Sequence, residues 1–158
     1  MKIIAVILSV FCAWSVAQAF VSATPGEYDS LRVGALVISP QGAWNVLLRD
    51  YIEKLVQCES AGHTTALNEF DGNGWHSRGP LQFQYPTFTE QLERFGMMQP
   101  HWEKEDIINL MHTAELPREL AFRMLSEDGA WWHWKICGKR VGLDVFINLY
   151  KENSRYYE

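Results

Sequence analysis

One apolar stripe limits the folds open to this chain more than any other feature. Ser39-Pro40 is followed by Trp44, Leu47, Leu48, Tyr51, Ile52, Leu55 and Val56, with Arg49, Asp50, Glu53 and Lys54 in the gaps. That spacing is the period of a helix with one buried face. Serine is a good cap and proline suits the first helical position, so the helix starts at Ser39-Pro40. Ala61-Gly62 should stop it near Glu59. Counting back from Glu59 along the helical period meets Val56, Leu55, Ile52 and Tyr51. Glu59 therefore lies on the apolar face. A carboxylate there belongs either to the rim of a cleft or to a pair inside the fold. Poor solvation raises a carboxyl pKa, which a general acid needs at neutral pH.

The rest of the chain repeats the helical pattern. Residues 61–80 carry Asn68, Asp71, Gly72, Asn73, Gly74 and Gly79, which is the chemistry of a long loop with turns. It leaves room for a small hairpin within 61–84. Pro86-Thr87 opens a second helix with Phe88, Leu92 and Phe95 on one face and Gly96 past its end. Two further helices are expected over 104–112 and 117–128, the latter from Pro117 to Gly129 with Leu120, Ala121, Met124 and Leu125 buried. Residues 130–137 read as a short aromatic helix or turn ending at Cys137-Gly138. A last helix is expected over 141–153. The sequence shows no repeat and no strong strand alternation, so the expectation is one mainly α domain over residues 39–158.

The N-terminal segment has a different character. Lys2 precedes an almost wholly apolar run, Ile3 to Val10, and Ala17-Gln18-Ala19 is a small-x-small site before Phe20. This is the layout of a secretory signal peptide over residues 1–19, followed by a linker or lead-in over 20–38. The apolar run is short for a membrane span; an uncleaved anchor is the alternative. Cleavage would remove Lys2 and no acid, making a net charge of −5 one unit more negative. An acidic domain does not suit nucleic acid. A secreted or periplasmic location follows from the same reading. It leaves Cys58 and Cys137, which in an oxidising compartment most simply form one disulfide; two buried thiols are the alternative. In the chain-entropy picture closing so long a loop contributes roughly 4–5 kcal/mol.

Several chemistries find little support. His63, His76, His101, His112 and His133 have no metal-motif spacing, and no GxSxG elbow is present. Asp71-x-Asn73 resembles the start of a calcium loop but lacks the later glutamate. No metal or cofactor is expected. The seven Trp and six Tyr are mostly core material, although their faces also stack on sugar rings. What remains is Glu59, either a structural carboxylate or a catalytic one, beside a Gly-, Asn- and Ser-bearing loop of the kind that carries binding residues.

Cys58-Glu59-Ser60, Ala66-Leu67-Asn68, Asp71-Gly72 and Ser77-x-Gly79-x-Leu81-Gln82-Phe83 with Thr87-Phe88 resemble, in this order, the lysozyme-like lytic transglycosylases. Ala130 to Cys137 is similar to the tryptophan-and-cysteine ending of small exported members. The resemblance covers roughly residues 45–150. It implies an all-helical lysozyme-like fold with a glycan-binding cleft and cleavage of the β-1,4 bond between N-acetylmuramic acid and N-acetylglucosamine in peptidoglycan. It assigns Glu59 as the single acid and base and Ser60, Ser77 and Gln82 to substrate binding, with Gln82 in the cleft lining, Ser60 also supporting the turn beside the acid and Ser77 contacting sugar. Peptidoglycan strands would be the partner. A muramidase or a non-catalytic peptidoglycan-binding, envelope-assembly module on the same fold are the alternatives. The Ala-Tyr-Asn-x-Gly string that family members often carry late in the domain is absent; Trp131 to Trp134 occupy the approximate place.

Overall fold

The computed structural model describes residues 39–71 and 74–154. The expected signal peptide, the lead-in and Asn73 lie outside these residues. The first helix, α1, runs over Pro40–Ser60. Ser39 caps it by accepting a hydrogen bond from the Gly42 amide at 3.1 Å, and Pro40 takes the first turn, where its missing amide costs nothing. At the other end Ala61 adopts a left-handed conformation and donates to the Gln57 carbonyl. Leu48, Ile52, Leu55 and Val56 are buried, as the stripe predicts. Burying each such side chain contributes about 1.5–3 kcal/mol.

Three two-residue strands follow: β1 (Leu67–Asn68), β2 (Ser77–Arg78) and β3 (Phe83–Gln84). They form one antiparallel sheet in the order β1-β2-β3. The expectation of a single hairpin in 61–84 is thus extended by one strand. Strands of two residues are too short to show alternation, which is why the sequence pattern misses the third.

The remaining helices are α2 (Tyr85–Arg94), α3 (Lys104–Met111), α4 (Glu115–Arg123), α5 (Lys135–Val141) and α6 (Leu143–Ser154). A reciprocal capping box starts α3: the Glu103 side chain accepts from the Asp106 amide, and Asp106 accepts from the Glu103 amide at 2.9 Å. The helix expected from Pro117 begins two residues earlier. Pro117 sits in its first turn, where the amide has no helical partner. It continues to Asp128 as a π-helical turn over Met124–Asp128 and stops at Gly129. The expectation that the aromatic segment ends at Cys137-Gly138 is corrected. A 3₁₀ turn covers Trp131–Trp134, and α5 carries the chain through both residues to Val141. The break comes at Gly142, whose φ of +79° separates α5 from α6.

Helix α1 is the centre of the packing and lies against α4, α5 and α6. Tyr51 stacks on Phe146 of α6 with ring centroids 4.4 Å apart. The Tyr150 hydroxyl joins the two helices by donating to Asn45 and accepting from Gln41. Arg118 of α4 holds Glu53 of α1 through two hydrogen bonds of 2.6 and 3.0 Å. Cys58 and Cys137 form a disulfide between α1 and α5 across a sequence separation of 79, with Cα atoms 5.7 Å apart. Among the described residues no helix is long and apolar enough to cross a membrane.

Two stability predictions follow from this packing. A Cβ on Gly79 would lie 1.8 Å from the Met111 carbonyl oxygen, at a φ of +74°. Gly79→Ala should therefore cost about 2–4 kcal/mol in urea unfolding, and an unchanged midpoint would contradict the packing of this loop on α3. Reducing the disulfide should cost about 2–5 kcal/mol, read as a lower urea midpoint with dithiothreitol than without.

Candidate active site

The loop 79–82 connects β2 to β3, and each of its first three carbonyls is held by a different part of the chain. The Gly79 oxygen accepts from Gln82 Nε2 at 2.8 Å. The Pro80 oxygen accepts from Ser60 Oγ at 2.9 Å. The Leu81 oxygen accepts from the indole Nε1 of buried Trp134, also at 2.9 Å. Gln82 itself adopts φ +50°, a region that costs a non-glycine residue about 1–2 kcal/mol. The three anchors on either side over-determine that conformation.

A cleft of about 660 Å³ opens beside this loop. Glu59 enters it from the last turn of α1. Asn68, Ser77, Phe83 and Gln84 enter from the sheet, Asp71 and Gln82 from its connections, and Thr87 from α2. Residues Trp132 to Cys137 complete the lining. The register places Asn68 opposite Ser77 and Ser77 opposite Gln84, so these three side chains form one cross-strand row. The Asp71 carboxylate fastens two of them. It accepts a short hydrogen bond from the Ser77 hydroxyl and one of 2.9 Å from Gln84 Nε2.

Of the residues singled out from the sequence, Glu59, Ser77 and Gln82 come together in this cleft. Ser60 is not in the lining. Its hydroxyl lies 3.0 Å from the Val56 carbonyl and 2.9 Å from that of Pro80, tying the helix end to the loop. Asn68, Gln84, Thr87 and Trp132 line the cleft as well; the sequence marks Asn68, Thr87 and Trp132 only within longer strings and Gln84 not at all. The repeated polar side chains at Ser77, Gln82 and Gln84 are a signal for Asn68 and Gln84 only once the register is known.

Glu59 is half-buried, and among the described residues its carboxyl has no hydrogen-bond or ion-pair partner. Burial raises its pKa above the ordinary glutamate value; the positive charge of Arg140 opposes the rise, and the negative charge of Asp71 adds to it. The group can therefore keep its proton to higher pH than a solvated glutamate. Arg140 also donates a long hydrogen bond, 3.7 Å, to the Cys58 sulfur. In the facing wall His133 stacks against Trp132. Loss of hydration holds its imidazole below the usual histidine range, against the pull of Glu90 and Asp128.

The arrangement has one loosely held carboxyl that can donate and accept a proton, a second that is fastened in place, and a row of hydroxyl and amide groups. Among the described residues no cluster of three or more His, Cys, Asp or Glu could hold a metal ion. No protein-family model, curated protein or solved structure matches the chain.

The raised pKa has a consequence for stability. A carboxyl whose folded pKa exceeds its unfolded value favours the fold while protonated, and this contribution is lost as pH rises through the folded pKa. Glu59→Gln should therefore melt near the wild-type temperature at low pH and above it at pH 7. Thermal unfolding at both pH values tests this; a difference that does not grow with pH would mean the carboxyl is not strained by its burial.

Proposed function

We propose that this protein is a peptidoglycan-cleaving lytic transglycosylase of lysozyme-like fold, secreted or periplasmic, with Glu59 as its single acid and base. The observation that carries the reading is the half-buried Glu59 carboxyl, without a hydrogen-bond partner among the described residues, in a polar cleft that Gln82 also lines. Both are residues through which the sequence resembles that family. The mainly helical architecture with a small antiparallel sheet agrees with it, and the disulfide fits an oxidising compartment.

In the proposed reaction Glu59 gives its proton to the glycosidic oxygen as the bond from C1 of N-acetylmuramic acid breaks. The resulting carboxylate then takes the proton of the muramyl 6-hydroxyl while that oxygen bonds to C1. The products are a 1,6-anhydro end and a free N-acetylglucosamine hydroxyl, and the acid is regenerated. The raised pKa suits the first step, because the group must be protonated when substrate arrives. The Ser77, Gln84 and Asp71 hydrogen bonds keep the polar wall in shape.

Asp71 favours a second reading. It lines the same cleft as Glu59, and paired carboxylates are the usual equipment of glycoside hydrolysis. In a muramidase, water would replace the 6-hydroxyl. Asp71 is, however, already fastened by Ser77 and Gln84, which suits a shaping role better than attack on a sugar.

The test is muropeptide release from purified peptidoglycan with mass spectrometry of the products. Wild type should release anhydro-ended fragments, and Glu59→Gln should be slower by about 100- to 10,000-fold. Reducing ends would convert the assignment to muramidase. Binding without release by wild type would make the protein a peptidoglycan-binding module.

A further inference from the structure

The tryptophans at 131, 132 and 134 have different fates. In a 3₁₀ turn residues i and i+3 share one face. Trp131 and Trp134 therefore turn inward together: Trp131 is half-buried against the core and Trp134 is 4% exposed. Trp132 is turned the other way and is 55% exposed, yet it lines the cleft. Four residues on, Ile136 is 76% exposed and lines the same cleft. This wall thus presents two exposed apolar side chains, Trp132 and Ile136, with His133 and Lys135 lining the cleft between them in sequence. The sheet side supplies amide groups from Asn68 and Gln84, while Ser77 between them is buried and gives its hydroxyl to Asp71.

Such a two-sided cleft suits a ligand with an apolar face and a polar edge. A pyranose ring has both: axial C–H bonds on its face, hydroxyl and acetamido groups around its rim. An indole face accepts the C–H side, and the amide groups answer the rim. The wall is also built rigidly. Trp134 is fixed to the Leu81 carbonyl and lies edge-on to Phe83 at 5.3 Å. Ile136 precedes Cys137, whose disulfide partner Cys58 precedes Glu59. The wall and the acid are therefore separated by one covalent bridge, not by a flexible loop.

We propose that Trp132, continued by Ile136, is the stacking platform for an N-acetylated pyranose of the glycan and sets the position of the chain relative to Glu59. This rests on the glycan reading of the cleft and makes Trp132 a positioning residue, acting by holding sugar and not by proton transfer. Among the described residues His133 stacks against it, and Trp132 stays 55% exposed.

Calorimetric titration of the Glu59→Gln protein with tetra-N-acetylchitotetraose and with peptide-free peptidoglycan strands tests the proposal without turnover. Adding Trp132→Ala should weaken binding about tenfold, whereas Trp132→Phe, which keeps an aromatic face, should stay within about threefold of the parent. Both variants should melt with the parent because the side chain is largely exposed. Trp132→Ala binding within twofold of the parent would overturn the platform while leaving the glycan reading intact. If the Glu59→Gln parent binds neither probe, the glycan reading fails and the platform fails with it. Should Trp132→Ala lose its melting transition, Ile136→Ser carries the test, and unchanged binding by that variant overturns the platform.

Discussion

The Cys58–Cys137 bond is the constraint on which the cleft depends. Cys58 is the residue before Glu59, on the last turn of the central helix, and Cys137 belongs to the wall that faces it. A helix end is normally its least fixed part, since its final carbonyls lack helical partners. Here that end is bonded covalently to α5 and tied by Ser60 to the Pro80 carbonyl. The backbone of Glu59, whose carboxyl makes no hydrogen bond among the described residues, is thereby fixed by its neighbours. Glu59 stays available for chemistry because Cys58 and Ser60 do the anchoring.

The second constraint is backbone hydrogen bonding in the 79–82 loop. A tight connection between two-residue strands leaves carbonyls that no sheet can satisfy, and an unpaired buried carbonyl is costly. Each is given a separate partner, and those partners come from α1, from the loop itself and from the 3₁₀ turn. The same bonds that satisfy the loop also assemble the cleft from three distant stretches of chain. Gly79 permits it, because any side chain there would strike the backbone at Met111.

Much of this was legible in the sequence. The stripe from Trp44 to Val56 fixes α1 and the face on which Glu59 lies, because helical period and burial are one statement. The cysteine pair was readable from the count, once the N-terminal segment is read as a signal peptide. The three-stranded sheet was not, since two-residue strands carry no period and are defined by partners elsewhere in the chain. The π-helical turn after Arg123 and the helix through Cys137-Gly138 were hidden for the same reason: local propensity gave way to packing. In the cleft, Glu59, Ser77 and Gln82 stood out by type and order. Asn68, Gln84 and Trp132 did not, since cross-strand register and the direction in which a short turn points each side chain appear only in three dimensions.

The Trp134 anchor has a consequence in time. Its bond to Leu81, like the disulfide, joins a residue beyond position 130 to one before position 82. A chain made from its N-terminus carries Glu59 and Gln82 early, with the Ser60–Pro80 hydrogen bond to link the helix end to the loop but no second wall to close the cleft. Until residues 131–137 exist, the acid has no opposite wall and the Leu81 carbonyl lacks its indole partner. The cleft is therefore assembled only once residues 131–137 have been made, and a product truncated before them would lack one wall however much of the glutamate-bearing segment it contained.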